Sequence, residues 1–202
     1  MYKKFDTLSL PTSVNINNTE YEFDADYRTT LKLFKVLNMD EKELLLAEKY
    51  QVCLKLFYKA EIKVADYAEA IECMFLFING GEVEEEKKPQ PKLVDWDKDI
   101  QKIIAPISKS IGQDIRGIKN LHWWSFLSEY MEIGECRFAT IVSIRSKKAK
   151  HEKLADWEEK FYKENRNEID ILTTEDVKDK DRMKELMELN QKAIRNAIRK
   201  DK

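Results

Sequence analysis

In a chain of 202 residues, 36 basic and 38 acidic side chains leave a net charge of −2, without the basic excess that supplies most non-specific affinity for nucleic acid. Charged residues make up 37% beside 43% hydrophobic ones, with only 5 Gly and 4 Pro. That balance favours long helices with solvated, salt-bridged faces over turn-rich β architecture, in a chain long enough for one ordinary domain or one domain plus an appendage.

Cys53, Cys73 and Cys136 form no close pair and no metal-ligand spacing, so they read as buried, reduced thiols of a cytosolic protein. Met1 to Asp6 is charged and lacks the apolar core of a signal peptide. The longest apolar stretch, Met74 to Ile78, is too short for a bilayer of about 30 Å. Both features predict a soluble, intracellular chain.

In chain order, Val14 and Ile16, then Tyr21 and Phe23, alternate around the polar turn Asn17-Asn18-Thr19, which predicts a short β-hairpin over Ser13 to Phe23. From Tyr27 the period becomes helical, with Leu31, Phe34 and Leu37 on one face. Asp40, with Glu43 three residues on, reads as a capping box. It would open a long helix carrying Leu44, Leu45, Val52, Leu56 and Phe57 and ending near Ala60. A helix from about Val64 to Ile78 should stop at Gly80-Gly81. The charged, proline-bearing stretch Glu82 to Lys92, EVEEEKKPQPK, reads as a linker.

Beyond it, Asp95 or Asp97 caps a helix with Ile100, Ile103, Ile104 and Ile107, which Pro106 is expected to kink or end. Asn120 is the expected cap of a helix holding Trp123, Trp124, Phe126, Leu127 and Tyr130 that Gly134 terminates. Phe138, Ile141, Val142 and Ile144 start the next, and Trp157, Phe161 and Tyr162 sit on another. The predicted fold is mainly α. A hairpin with helices fills 1–81, a linker 82–92, a helical region 93–170 and a charged C-terminal helix 171–202. That last helix would carry Met183, Leu186, Met187, Ile194 and Ile198, a stripe able to dock on the domain, self-associate or hold a client.

No constellation of reactive groups stands out, and the expectation is a protein that is no enzyme and needs no cofactor or metal. None of the glycines belongs to a phosphate-binding loop. His122 and His151 lack ligand spacing, although partners such as Cys136 and a histidine can converge in space. In the aromatic block Leu121 to Phe126, burial in a helical core outweighs stacking of bases. Adjacent tryptophans are not expected to point inward together, so one should face a neighbouring element or a partner. The candidate partner-binding residues are therefore Trp123, Trp124, Phe126, Tyr130 and Arg145. Arg145 opens the basic run to Lys150, which reads as a solvated helix end more readily than as a phosphate patch.

The stretch YEFDADYRTTLKLFKVL, and above all LHWWSFLSEYMEIGECRFATIVSIRSKK followed by LADWEEKFYKENR, resembles the siphophage family named for gene product fifteen, over about Leu10 to Asn165. The resemblance implies a tail assembly chaperone that binds the tape-measure protein and helps recruit tail-tube subunits without catalysis. It implies location in the host cytoplasm during infection and absence from the mature virion. It carries over no catalytic residue. The alternatives are a structural virion or tail-completion component and a nucleic-acid-binding regulator.

Overall fold

The computed structural model describes residues 4–40, 42–83 and 91–171. Among them the chain is mainly helical, with one two-stranded antiparallel sheet near the N-terminus. Strands β1 (Ser13–Ile16) and β2 (Thr19–Glu22) pair from Ser13 with Glu22 to Ile16 with Thr19. Between them Asn17 and Asn18 take φ of 48° and 62°, the mirror-image turn whose twist suits a hairpin. Val14, Ile16 and Tyr21 face inward, as their alternation requires. Asn17 and Tyr21 donate to the carboxylate of Asp66 at 2.9 and 2.7 Å. These two bonds tie the hairpin down and hold that carboxyl below its ordinary range.

Asp26 caps α1 (Tyr27–Leu37), its carboxylate accepting from Arg28 N at 2.8 Å. The next helix does not start at Asp40. There the chain makes a short turn, Glu43 N and Leu44 N donating to Asp40 O, and α2 runs from Leu46 to Phe57. Its first turn is closed by Glu48, which accepts from Leu45 N at 2.9 Å. The capping signal at Asp40 was overridden because the chain must reverse there. Buried Lys49 donates to Leu37 O and Met39 O, the open end of α1, and folds α2 back alongside it.

Helix α3 (Tyr67–Ile78) follows one 3₁₀ turn at Val64–Asp66. Helix α4 (Trp96–Ile111) does not end at Pro106 but continues past it. The proline removes one N–H, but buried Ile103, Ile104 and Ile107 pin the helix to the core on both sides of it. Helix α5 (Trp123–Met131) is capped by His122, not Asn120, and ends before Gly134 is reached; α6 spans Arg137–Ala149. Residues up to Lys153 form one compact unit. A second unit begins at Leu154 and includes α7 (Asp156–Glu164), with Trp157, Phe161 and Tyr162, and the single turn α8 (Arg166–Ile169). Most of the expected linker, 84–90, and the charged C-terminal segment beyond Ile171 lie outside the described residues. No helix among the described residues is long and apolar enough to cross a membrane.

The core of the first unit draws on residues before and after 84–90 alike. Phe23 stacks on Phe57 at 4.6 Å and meets Phe77 edge-on at 4.8 Å. Tyr27 stacks on Phe126 at 4.8 Å, and Phe34 lies parallel to Trp96 at 5.5 Å. Such pairs contribute about 0.5–1.5 kcal/mol each beyond the area they bury.

Candidate functional site

The end of α3 sets the geometry of the site. Gly81 N donates to Leu76 O at 2.8 Å and Gly80 N to Phe77 O at 3.1 Å, a closure that needs positive φ, here 70° at Gly80 and 82° at Gly81. The last carbonyls of a helix lack intrahelical donors, and here indoles serve them. Trp123 Nε1 donates to Ile78 O and Trp124 Nε1 to Phe77 O, each at 2.8 Å. Both adjacent tryptophans are therefore buried, each facing a neighbouring element, the end of α3. They stand at the very start of α5, where the two rings straddle the end of another helix.

Backbone bonds clamp this block in place. Trp123 N donates to Ala25 O at 2.7 Å and Tyr27 N to Leu121 O at 2.9 Å. Asp26, besides capping α1, accepts from Leu121 N at 3.2 Å. His122 Nδ1 accepts from Trp124 N at 3.0 Å, and its Nε2 lies 3.0 Å from Pro11 O. The first contact needs a lone pair on Nδ1 and the second a proton on Nε2, which fixes one neutral tautomer. Burial pushes the ring's pKa below its usual value, against a smaller opposing effect of the Pro11 carbonyl.

Over this floor lies an open groove of about 890 Å³, within the range of about 300–1,000 Å³ usual for ligand pockets. Phe34, Ile78, Trp96, Trp123 and Trp124 line its base, Thr7 to Leu10 with Asn79, Gly80, Glu82 and Val83 its walls, and Leu127, Ser128 and Met131 the α5 side. Its rim mixes polar residues such as Thr7, Ser9, Asn79 and Glu82 with apolar ones that stand in water. Leu8 is 97% exposed and Met131 74%, and Leu10 and Val83 are also exposed. Burying one such side chain fully is worth about 1.5–3 kcal/mol, so burying a few of them would little more than offset the cost of an association.

The structure places the five candidate partner-binding residues as follows. Trp123 and Trp124 form the groove floor. Phe126 is fully buried beneath, between Tyr27 and Trp123. Tyr130 is half-buried and packs on Trp96 and Phe138. Arg145 is buried away from the groove in a two-pronged ion pair with Asp99, at 2.5 and 3.1 Å, and also donates to Leu93 O. The basic run thus loses its first cation to the core. Sequence reasoning missed Leu8, Leu10, Val83 and Met131, because exposed apolar residues next to turns carry no periodic signal, and Phe34 and Trp96, whose stacking joins distant segments.

Cys136 caps α6, its Sγ accepting from Ala139 N at 3.5 Å, and His151 ends that helix region with φ of 57°. Among the described residues no group of three His, Cys, Asp or Glu side chains is arranged to hold a metal. A family model described as Bacteriophage Gp15 protein matches residues 7–171. No curated protein and no solved structure matches the chain.

Proposed function

Because the chain belongs to the Bacteriophage Gp15 protein family, we propose that this phage protein is a tail assembly chaperone that grips its client in the groove over Trp123 and Trp124. The client is the tape-measure protein, and the chaperone helps bring tail-tube subunits onto it. It works by binding alone, without catalysis or a cofactor. The observation that carries this reading is the apolar part of the groove's rim, Leu8, Leu10, Val83 and Met131, left in water on a chain otherwise rich in charge. Four large apolar side chains exposed along one groove favour a polypeptide partner. Dense charge of both signs keeps the free protein dispersed.

Co-expression with the tape-measure product tests the proposal. The expected result is co-purification and a soluble client, weakened by Leu8→Asp or Met131→Asp. A client that stays insoluble and unbound counts against it. Mass spectrometry of purified particles separates the chaperone from a virion component, since the chaperone should be missing. A regulator binding several phosphates would instead show affinity for nucleic acid that falls steeply with salt.

A further inference from the structure

The segment ahead of the hairpin is fastened at its two ends and by little between them. At its far end Pro11 O lies 3.0 Å from His122 Nε2, and Thr12 O accepts from Phe23 N at 2.9 Å. At its near end Lys4 pairs with Glu69, both side chains partly in water, where an ion pair holds weakly. From Phe5 to Leu10 the hydrogen bonds stay within the segment: Leu8 N, Ser9 N and Ser9 Oγ all donate to Asp6. Among the described residues none ties that stretch to the rest of the chain. What seats it is one ring. Phe5 is buried edge-on to Phe23, Phe77 and Trp124, with centroids 5.9, 6.1 and 6.0 Å away. Its socket shares Trp124 with the groove floor, and the segment that fills the socket also supplies the groove wall from Thr7 to Leu10.

We propose that residues 4–10 form a displaceable strap, pivoting at Pro11, whose Phe5 fills in the free protein a socket that takes an aromatic side chain of the client. Three rings meeting one plane from its edges and faces select another flat ring over an aliphatic chain. Release breaks no hydrogen bond between the strap's middle and the body, and it returns conformational freedom to the strap. Exposure of Phe5 and its socket to water opposes it. The released state is therefore a minor one, and a ligand carrying a competing ring shifts the population towards it. Leu8 and Leu10 stay hinged at the groove's edge, free to close over the bound segment. Release is a property of this chain alone; its use by the client rests on the reading given under the proposed function.

A single 4-fluorophenylalanine at position 5 of the full chain, followed by fluorine NMR saturation transfer, tests the release. The expected result is a main line from the seated ring and a minor line at the shift of a solvated one, holding about 0.1–10% of the signal. Lys4→Glu sets a like charge against Glu69 and should raise the minor line about two- to fivefold, with circular dichroism showing an unchanged fold. A spectrum without the minor line in both proteins overturns the strap, as does a minor line indifferent to Lys4→Glu. Where the client needs the released state, its apparent affinity rises with that state's fraction, so co-expression with the tape-measure product should yield more soluble client from Lys4→Glu. Equal yields beside a minor line that responds would overturn the socket's part in client binding. If neither protein recovers client while the line still responds, the client reading fails and the strap stands.

Discussion

Replacing Arg145 by methionine keeps much of the side chain's apolar stem and removes its charge. The side chains of Arg145 and Asp99 are 5% and 0% exposed, so water cannot take over the lost partner. Of the carboxylate's three bonds to Asp95 N and the guanidinium, the variant leaves only the one from Asp95 N at 3.0 Å. Breaking one side of such a buried pair costs about 3–5 kcal/mol, most of it from the uncompensated charge left behind. That is a large part of a small domain's stability. Urea unfolding followed by circular dichroism measures it, as a lower midpoint at unchanged slope. Adding Asp99→Asn removes the orphaned charge while keeping an acceptor for Asp95 N, so the double variant should recover at least about 1 kcal/mol. A loss within about 0.5 kcal/mol for the single variant, the range of surface substitutions, would refute the reasoning and return Arg145 to the list of partner-contacting residues.

Gly81→Ala should destabilise more than Gly112→Ala. Both glycines have positive φ, 82° and 81°, and each alanine meets a strain of about 1–2 kcal/mol. Only at position 81 does the new Cβ also meet Trp124 at 3.1 Å and Thr7 at 3.3 Å, whereas at 112 nothing lies within 4 Å; melting temperatures of the pair decide. Trp123→Phe keeps a large ring but leaves Ile78 O without its indole donor, for an expected loss of about 1–3 kcal/mol by chemical unfolding. His122 gives a pH dependence. Its folded pKa lies below the ordinary 6.5, so its contribution is fully present above that value and is lost as pH falls through the folded pKa. Unfolding curves between about pH 7.5 and pH 5 should show a stability loss that is reduced in His122→Gln, and equal losses in both proteins would remove this role.

The parts of the fold that sequence made legible are those governed by local rules. The Asn17-Asn18 turn demands positive φ, and residues of alternating polarity on both sides leave only one pairing that buries Val14, Ile16 and Tyr21. Gly80-Gly81 marked the end of α3 for a similar reason: few other residues close a helix that way. What failed were local signals competing with tertiary contacts. Asp40 and Glu43 form a sound capping pattern, yet Lys49 must reach the end of α1, and α2 therefore begins at Leu46. Pro106 was expected to kink or end α4, yet the helix continues past it, anchored by three buried isoleucines. In each case burial outweighed a preference worth a few kcal/mol at most.

The aromatic block was visible as a feature, but its role was hidden, because that role depends on where α3 ends. Two adjacent indoles can both be buried only if each N–H finds an acceptor, and the carbonyls of Phe77 and Ile78 supply them across 47 and 45 positions of sequence. This arrangement separates two properties of the groove. Its floor is fixed by hydrogen bonds that also hold the core together, so a floor substitution such as Trp123→Phe must disturb folding as well as any grip. Its rim is free of that constraint: Leu8 is almost wholly and Met131 mostly in water, and they contribute little to folding. Rim substitutions should therefore change client capture while leaving the melting temperature nearly unchanged, and a rim variant that unfolds the protein would show that the two layers are not independent.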